Sequence, residues 1–142
     1  LGAEHDLYIK AGARNFVLVD VPPIGRSPGG LDLILSCSYQ VTGPLCSPDS
    51  SDEIQDHVGT WNDLQVRPRV SESSMSSPQA TVFVFSSHKV LTNVLDDPLE
   101  CDLGENDPDE GGAIWEDDLH LKPVIHAILA DHFFSSLKAK DQ

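Results

Sequence analysis

Asp117 and His120 stand three residues apart in the stretch Ile114-Trp115-Glu116-Asp117-Asp118-Leu119-His120, between a loop and a helix that bears His126. These residue types suit proton transfer. In hydrolases an imidazole takes the proton from a nucleophilic hydroxyl, while a carboxylate fixes its tautomer and stabilises the imidazolium. A D-x-x-H turn brings both side chains together locally. The spacing alone has little specificity, because an acidic solvated loop running into a histidine at a helix start has the same pattern. Asp118 is the alternative carboxylate if the loop register differs.

Other groups with chemical potential have simpler readings. Ser86 and Ser87 follow a predicted strand, at the carboxyl end where open α/β sheets place their sites. No G-x-S-x-G elbow surrounds them, and helix capping accounts for both. Asp107-x-Asp109, with Gly112 at the sixth place, Ile114 at the eighth and Asp118 at the twelfth, faintly echoes a calcium loop. Gly111 takes its fifth place, Asp replaces the final Glu, and Gly104 and Pro108 exclude a preceding helix, so a solvated acidic loop is preferred. His5, His57, His88 and His132 read as surface residues with no metal spacing, and no cofactor is implied. The three cysteines form no CxxC. A Cys37–Cys46 pairing is open in an oxidising compartment and leaves Cys101 single.

The chain of 142 residues carries 9 Lys+Arg against 23 Asp+Glu, a formal charge of −14. A surface of that sign repels phosphate, and the basic residues form no cluster, which argues against nucleic acid as a partner. An apolar fraction of 39% supplies a core for one domain or a piece of one. No apolar run approaches the roughly 18–20 residues of a membrane span. The sequence opens on Leu1 with no signal or transit pattern, so the N-terminus and any address are expected to lie outside it.

The elements that must position the pair follow from pattern. Residues 3–11 read as the end of a helix closed by Gly12. Phe16–Val21 is an apolar run without alternation, the pattern of a parallel strand covered on both faces, and Pro22-Pro23 stops it. Residues 25–50, rich in Gly, Pro, Ser and Cys, read as an irregular insertion or lid. Ser51 or Asp52 caps a helix to about Gln65, with Ile54, Val58, Trp61 and Leu64 along one stripe. Arg67–Pro78 is a breaker region. Thr81–Phe85 is a second strand, followed by a helix from Ser86 or Ser87 through Leu95 that buries Val90, Leu91, Val94 and Leu95. Residues 96–118 hold eleven acidic side chains and no basic one, with prolines and glycines that forbid a long regular element. A last helix runs from Pro123 to about Leu137, with Val124, Ile125, Ile128, Leu129, Phe133 and Leu137 on one broad face. Strand, crossover helix and strand make a parallel right-handed unit. Two strands alone do not make a stable open sheet, so the pieces are those of a doubly wound α/β protein whose front half is not present.

The run Gly12-Ala13-Arg14-Asn15-Phe16 through Pro22-Pro23-Ile24, with Arg26-Ser27-Pro28, resembles the GAR-x-F…PP strand of GDSL-type (SGNH) ester hydrolases, most of all fungal acetylesterases of the carbohydrate-esterase group. Thr60-Trp61-Asn62, the stretch Thr81–Asp97, and Trp115-x-Asp117-x-Leu119-His120 with His126 downstream are similar to the same family in the same order. The resemblance implies a flavodoxin-like (SGNH) three-layer α/β/α sandwich with parallel strands, of which residues 1–142 are the C-terminal part. It also implies a metal-independent Ser-His-Asp esterase acting on a small-molecule or carbohydrate acetyl ester, secreted, with Asp117 and His120 as acid and base. Trp115 and His126 would pack or support them.

The chain departs from that pattern in several places. No Gly-Asp-Ser nucleophile block occurs in it, and the oxyanion blocks would precede Leu1. Gly59-Thr60-Trp61-Asn62-Asp63 reads G-x-x-N-D, one residue too long for the oxyanion block, and falls in a predicted helix. Leu121 stands where many relatives have Pro, and residues 31–50 have no counterpart. An acid–base pair without nucleophile or oxyanion donors does not transfer acyl groups at useful rates, each missing donor costing about 100- to 1000-fold. The chain alone is therefore expected to be silent. The competing reading is a non-catalytic remnant or interaction fragment, with a cation-binding loop behind it.

Overall fold

The computed structural model describes residues 10–30, 56–64, 81–109 and 112–140. Ser51, Asp52, Ile54, Cys37, Cys46, His5, residues 31–50 and the breaker region at 67–78 lie outside them. The architecture is mixed α/β, with a two-stranded parallel sheet and several helices.

Strands β1 (Asn15–Val19) and β2 (Thr81–Phe85) pair in parallel, from Asn15 opposite Thr81 to Val19 opposite Phe85. Their β-branched and aromatic residues favour the pleated backbone. Thr81 N donates to Arg14 O at 2.7 Å and Asp20 N to Phe85 O at 3.3 Å, continuing the ladder at both ends. Before β1 the helical turn at residue 10 closes on Gly12, whose φ of +97° suits a residue without Cβ.

The expected coverage of β1 on both faces is not found. Val17 and Val19 are 47% and 57% exposed. They share a face with Phe83 and Phe85, their register partners, but only the β2 half of that face is covered. There Phe133 meets Phe83 and Phe85 edge-on, at 5.8 and 5.3 Å between ring centroids. The strand also stops at Val19, two residues short of Val21: Asp20 N makes the last ladder bond, but Asp20 O accepts from Ser87 Oγ at 2.7 Å and Val21 bonds outside the sheet. The Asp20 carboxylate accepts from Ser86 Oγ, Ser87 Oγ and His88 N. Val21 N donates to Asn62 Oδ1 at 2.8 Å, and Asn62 Nδ2 returns a bond to Val21 O at 3.0 Å.

Asn62 belongs to helix α1, described over 56–64. Of the described part of its predicted stripe, Val58 is buried, while Trp61 and Leu64 are exposed. Val58 and Asn62, four apart, share one helix face, and Asn62 fastens that face to the end of β1. Helix α2 (Ser87–Asp96) begins at Ser86, whose Oγ accepts from Lys89 N at 3.1 Å. Leu91, Val94 and Leu95 are buried along it, with Val90 half-buried. Helix α3 (Pro123–Lys140) starts on a proline and runs three residues past Leu137. Its buried face is narrower than predicted: Ile125 is fully buried, Ile128, Leu129, Phe133 and Leu137 are half-buried, and Val124 is exposed.

The core gathers Leu91, Val94 and Leu95 of α2, Ile125 of α3, and Leu103, Ile114 and Trp115 from the acidic connection between them. That connection is therefore more than a solvated loop. It contains a 3-10 turn, Pro98–Cys101, closed by Asp102 with φ of 58°. The Asp107 carboxylate accepts from Gly104 N and from Ala113 N, pulling two distant points of the loop together. A Cβ on Gly112 would stand 2.3 Å from Asp107 O, so only glycine passes there. The described part of the 25–50 segment is likewise packed: Ile24–Arg26 forms a 3-10 turn, Gly25, Ser27 and Gly30 are buried, and 28–30 begin a helix. Cys101 is a free, half-buried thiol packed against the core. No helix among the described residues is long and apolar enough to cross a membrane.

Removing the Asn62 amide leaves the part-buried Val21 N–H and C=O without partners, a loss worth about 1–3 kcal/mol. Asn62→Ala should lower the urea midpoint accordingly. An unchanged midpoint would show that the pairing holds nothing.

Candidate functional site

After Ile114 the chain makes a narrow hairpin. Trp115 and Leu121 form an antiparallel bridge, Glu116 N donates to His120 O at 2.8 Å, and Lys122 N donates to Ile114 O at 2.9 Å. The base of this hairpin is anchored in the core. Ile114 and Trp115 are buried, and Trp115 Nε1 donates to Pro108 O at 3.1 Å. Lys122 Nζ adds a bond to Gly112 O at 2.8 Å. Residues 116–120 form an exposed tip.

At that tip Asp117 and His120 meet. His120 Nδ1 lies 2.8 Å from Asp117 Oδ2 and 3.0 Å from Oδ1. Asp117 Oδ1 also accepts from Leu119 N at 2.9 Å and His120 N at 2.7 Å, so the carboxylate closes the turn on which its partner rides. The His120 N–H, then the Leu119 N–H, then the His120 side chain bring the Asp117 carboxyl down from 3.8 to about 2. An ionised carboxylate only accepts hydrogen bonds, so Nδ1 must carry the proton facing it. In the neutral ring that leaves Nε2 with its lone pair. The two side chains are 55% and 77% exposed, open to a reactant.

The remaining predicted residues divide. Asp118 does not pair with His120; it gives its backbone carbonyl to Gly29 N at 2.8 Å. Trp115 is buried in the core at the base of the hairpin. His126 is exposed on the first turn of α3, its backbone N–H donating to Lys122 O, and does not join the pair. Ser86 caps α2, whereas Ser87, the first residue of the helix, caps nothing and is fastened to Asp20 instead. Ser87 Oγ donates to Asp20 O at 2.7 Å and to its carboxylate at 3.0 Å, while Ser86 Oγ bonds Asp20 and Lys89 N. His57 and His132 are exposed, and His88 is half-buried. Among the described residues no three His, Cys, Asp or Glu side chains are grouped to hold a metal ion. Asp107, the first position of the calcium-like register, uses both carboxylate oxygens on backbone N–H groups.

Sequence reasoning missed three supporting residues: Asp20, Asn62 and Gly29. The first had a readable signal, an acid interrupting the apolar run near the end of one strand where a Ser-Ser helix start follows the other. The partners of Asn62 and Gly29 are backbone groups far away in sequence, which no local pattern announces. No family model matches the chain, and no curated protein matches it.

Asp117 with a midpoint near 2 stabilises the turn fully above its ordinary value of 3.8, and that contribution fades as pH falls through 2. A carboxyl-carbon titration by NMR should therefore show Asp117 still ionised at pH 3. A midpoint at 3.8 would mean that the three donors are not engaged.

Proposed function

We propose that Asp117 and His120 are the acid–base pair of an SGNH-type ester hydrolase, with the nucleophilic serine and oxyanion donors supplied by sequence outside these 142 residues. The observation that carries this reading is the 2.8 Å contact between His120 Nδ1 and Asp117 Oδ2 on an exposed turn. In the reaction, His120 Nε2 takes the proton of the attacking hydroxyl and passes it to the leaving alcohol, while Asp117 holds the Nδ1 proton and stabilises the imidazolium. The substrate class is an acetyl ester of a carbohydrate or small molecule. No metal or cofactor takes part in these steps.

The same reading makes the sheet part of a flavodoxin-like three-layer sandwich, with further strands beside β1. The exposed Val17 and Val19 support it, since a two-stranded sheet with half of one face bare is a poor independent unit. So does the route from the carboxyl end of β1 through residues 24–30 to the turn at Asp118, because open α/β sheets build their sites beyond the carboxyl ends of strands.

Supplied alone with a chromogenic acetyl ester, the chain should hydrolyse it no faster than its His120→Ala variant. Fused behind the nucleophile-bearing half of a GDSL-type hydrolase, it should restore turnover. Asp117→Asn should then cost on the order of 10⁴-fold in kcat, as loss of the orienting carboxylate does in Ser-His-Asp enzymes. Restored turnover indifferent to both residues would overturn the assignment.

A further inference from the structure

We propose that Gly29 is a positioning residue for the Asp117–His120 pair, acting through the peptide unit between Asp118 and Leu119; the proposal rests on the acid–base reading of that pair. This peptide unit has two ends in use. Its carbonyl, Asp118 O, accepts from Gly29 N at 2.8 Å. Its N–H, that of Leu119, donates to Asp117 Oδ1 at 2.9 Å. A peptide unit is planar and rigid, so the direction in which Gly29 holds the carbonyl sets the direction in which the N–H meets the carboxylate. The carboxylate in turn faces His120 Nδ1.

The support beneath Gly29 is built to keep its place. Ser27 is fully buried, its Oγ donating to Ile24 O at 2.8 Å and accepting from Gly30 N at 3.1 Å. Ser27 N also donates to Ile24 O, and Arg26 N to Pro23 O. Arg26 Nη1 reaches Asp96 Oδ1 at 2.6 Å, tying this turn to the end of α2. A Cβ on Gly30 would stand 2.5 Å from Ile24 O, so the turn closes only on glycine. At Gly29 itself a Cβ would lie 2.9 Å from Asp118 O and 3.0 Å from Asp118 Cβ. Neither atom is the end of a flexible side chain, so any larger residue must push the Asp118 backbone away. The hairpin base, held by Trp115 and Leu121, fixes where the tip begins; Gly29 fixes how its central peptide is turned.

The test is the imidazole tautomer of His120, read from ¹⁵N shifts in the full chain above the titration of the ring, with the Trp115 indole N–H resonance as the control for folding. In the wild type the proton should reside on Nδ1. In Gly29→Ala, with the Trp115 resonance unmoved, the exclusive Nδ1–H population should be lost and Nε2–H should appear. The Leu119 amide should shift as its bond to Asp117 breaks. A folded Gly29→Ala chain with the wild-type tautomer and Leu119 shift would overturn the proposal. If Gly29→Ala does not fold, Ser27→Ala decides by the same signals: loss of the Nδ1–H population supports the proposal, and its retention overturns it. A wild-type chain lacking the Nδ1–H form would instead sink the acid–base reading itself.

Discussion

The site depends on one small constraint: the Asp117 carboxylate is shared among two backbone N–H groups and an imidazole within four residues of chain. An exposed ion pair of a histidine and a carboxylate, left to two free side chains, contributes little and is screened by salt. Here the carboxylate is fixed by the turn it closes, so the imidazole meets an acceptor already in place. The carboxylate therefore loses little further freedom on pairing. Water surrounds both groups without dissolving the arrangement, because the backbone bonds restrain the carboxylate whether or not the ring is charged.

The acidic composition takes on a different meaning in this light. Asp20, Asp107 and Asp117 each accept from backbone N–H groups. Asp20 joins the end of β1 to the start of α2, where a negative group also suits the helix N-terminus. Asp107 gathers the long connection after α2 so that Leu103, Ile114 and Trp115 reach the core. Asp117 closes the tip of the hairpin that this connection leads to. A strongly negative chain thus uses some of its carboxylates as internal fasteners, in places where local pattern suggests only solvated charge.

Elements with strong local signals were legible in the sequence. Thr81–Phe85, the cap at Ser86, the stripe Leu91, Val94 and Leu95, the start of the last helix at Pro123 and the meeting of Asp117 with His120 all follow from patterns within a few residues. What escaped depends on distant partners. The length of β1 is set by Asn62 and by the Ser86-Ser87 start of α2, and the exposure of Val17 and Val19 by how far α3 reaches across the sheet. The apolar run of β1 reports what such a strand would bury beside neighbours on both sides. It does not report whether they are present. Gly29 was invisible for the same reason: its role lies in the absence of a side chain beside a carbonyl far along the chain.

Amide hydrogen exchange at the tip of the hairpin tests the central claim most directly. With the Asp117 carboxylate bound to both N–H groups, exchange at Leu119 and His120 should be slowed relative to Asp118 beside them, and Asp117→Ala should abolish that protection at both. Equal exchange at Asp118, Leu119 and His120 in the unaltered chain would contradict the account, because the carboxylate would then be free and the imidazole without a fixed partner.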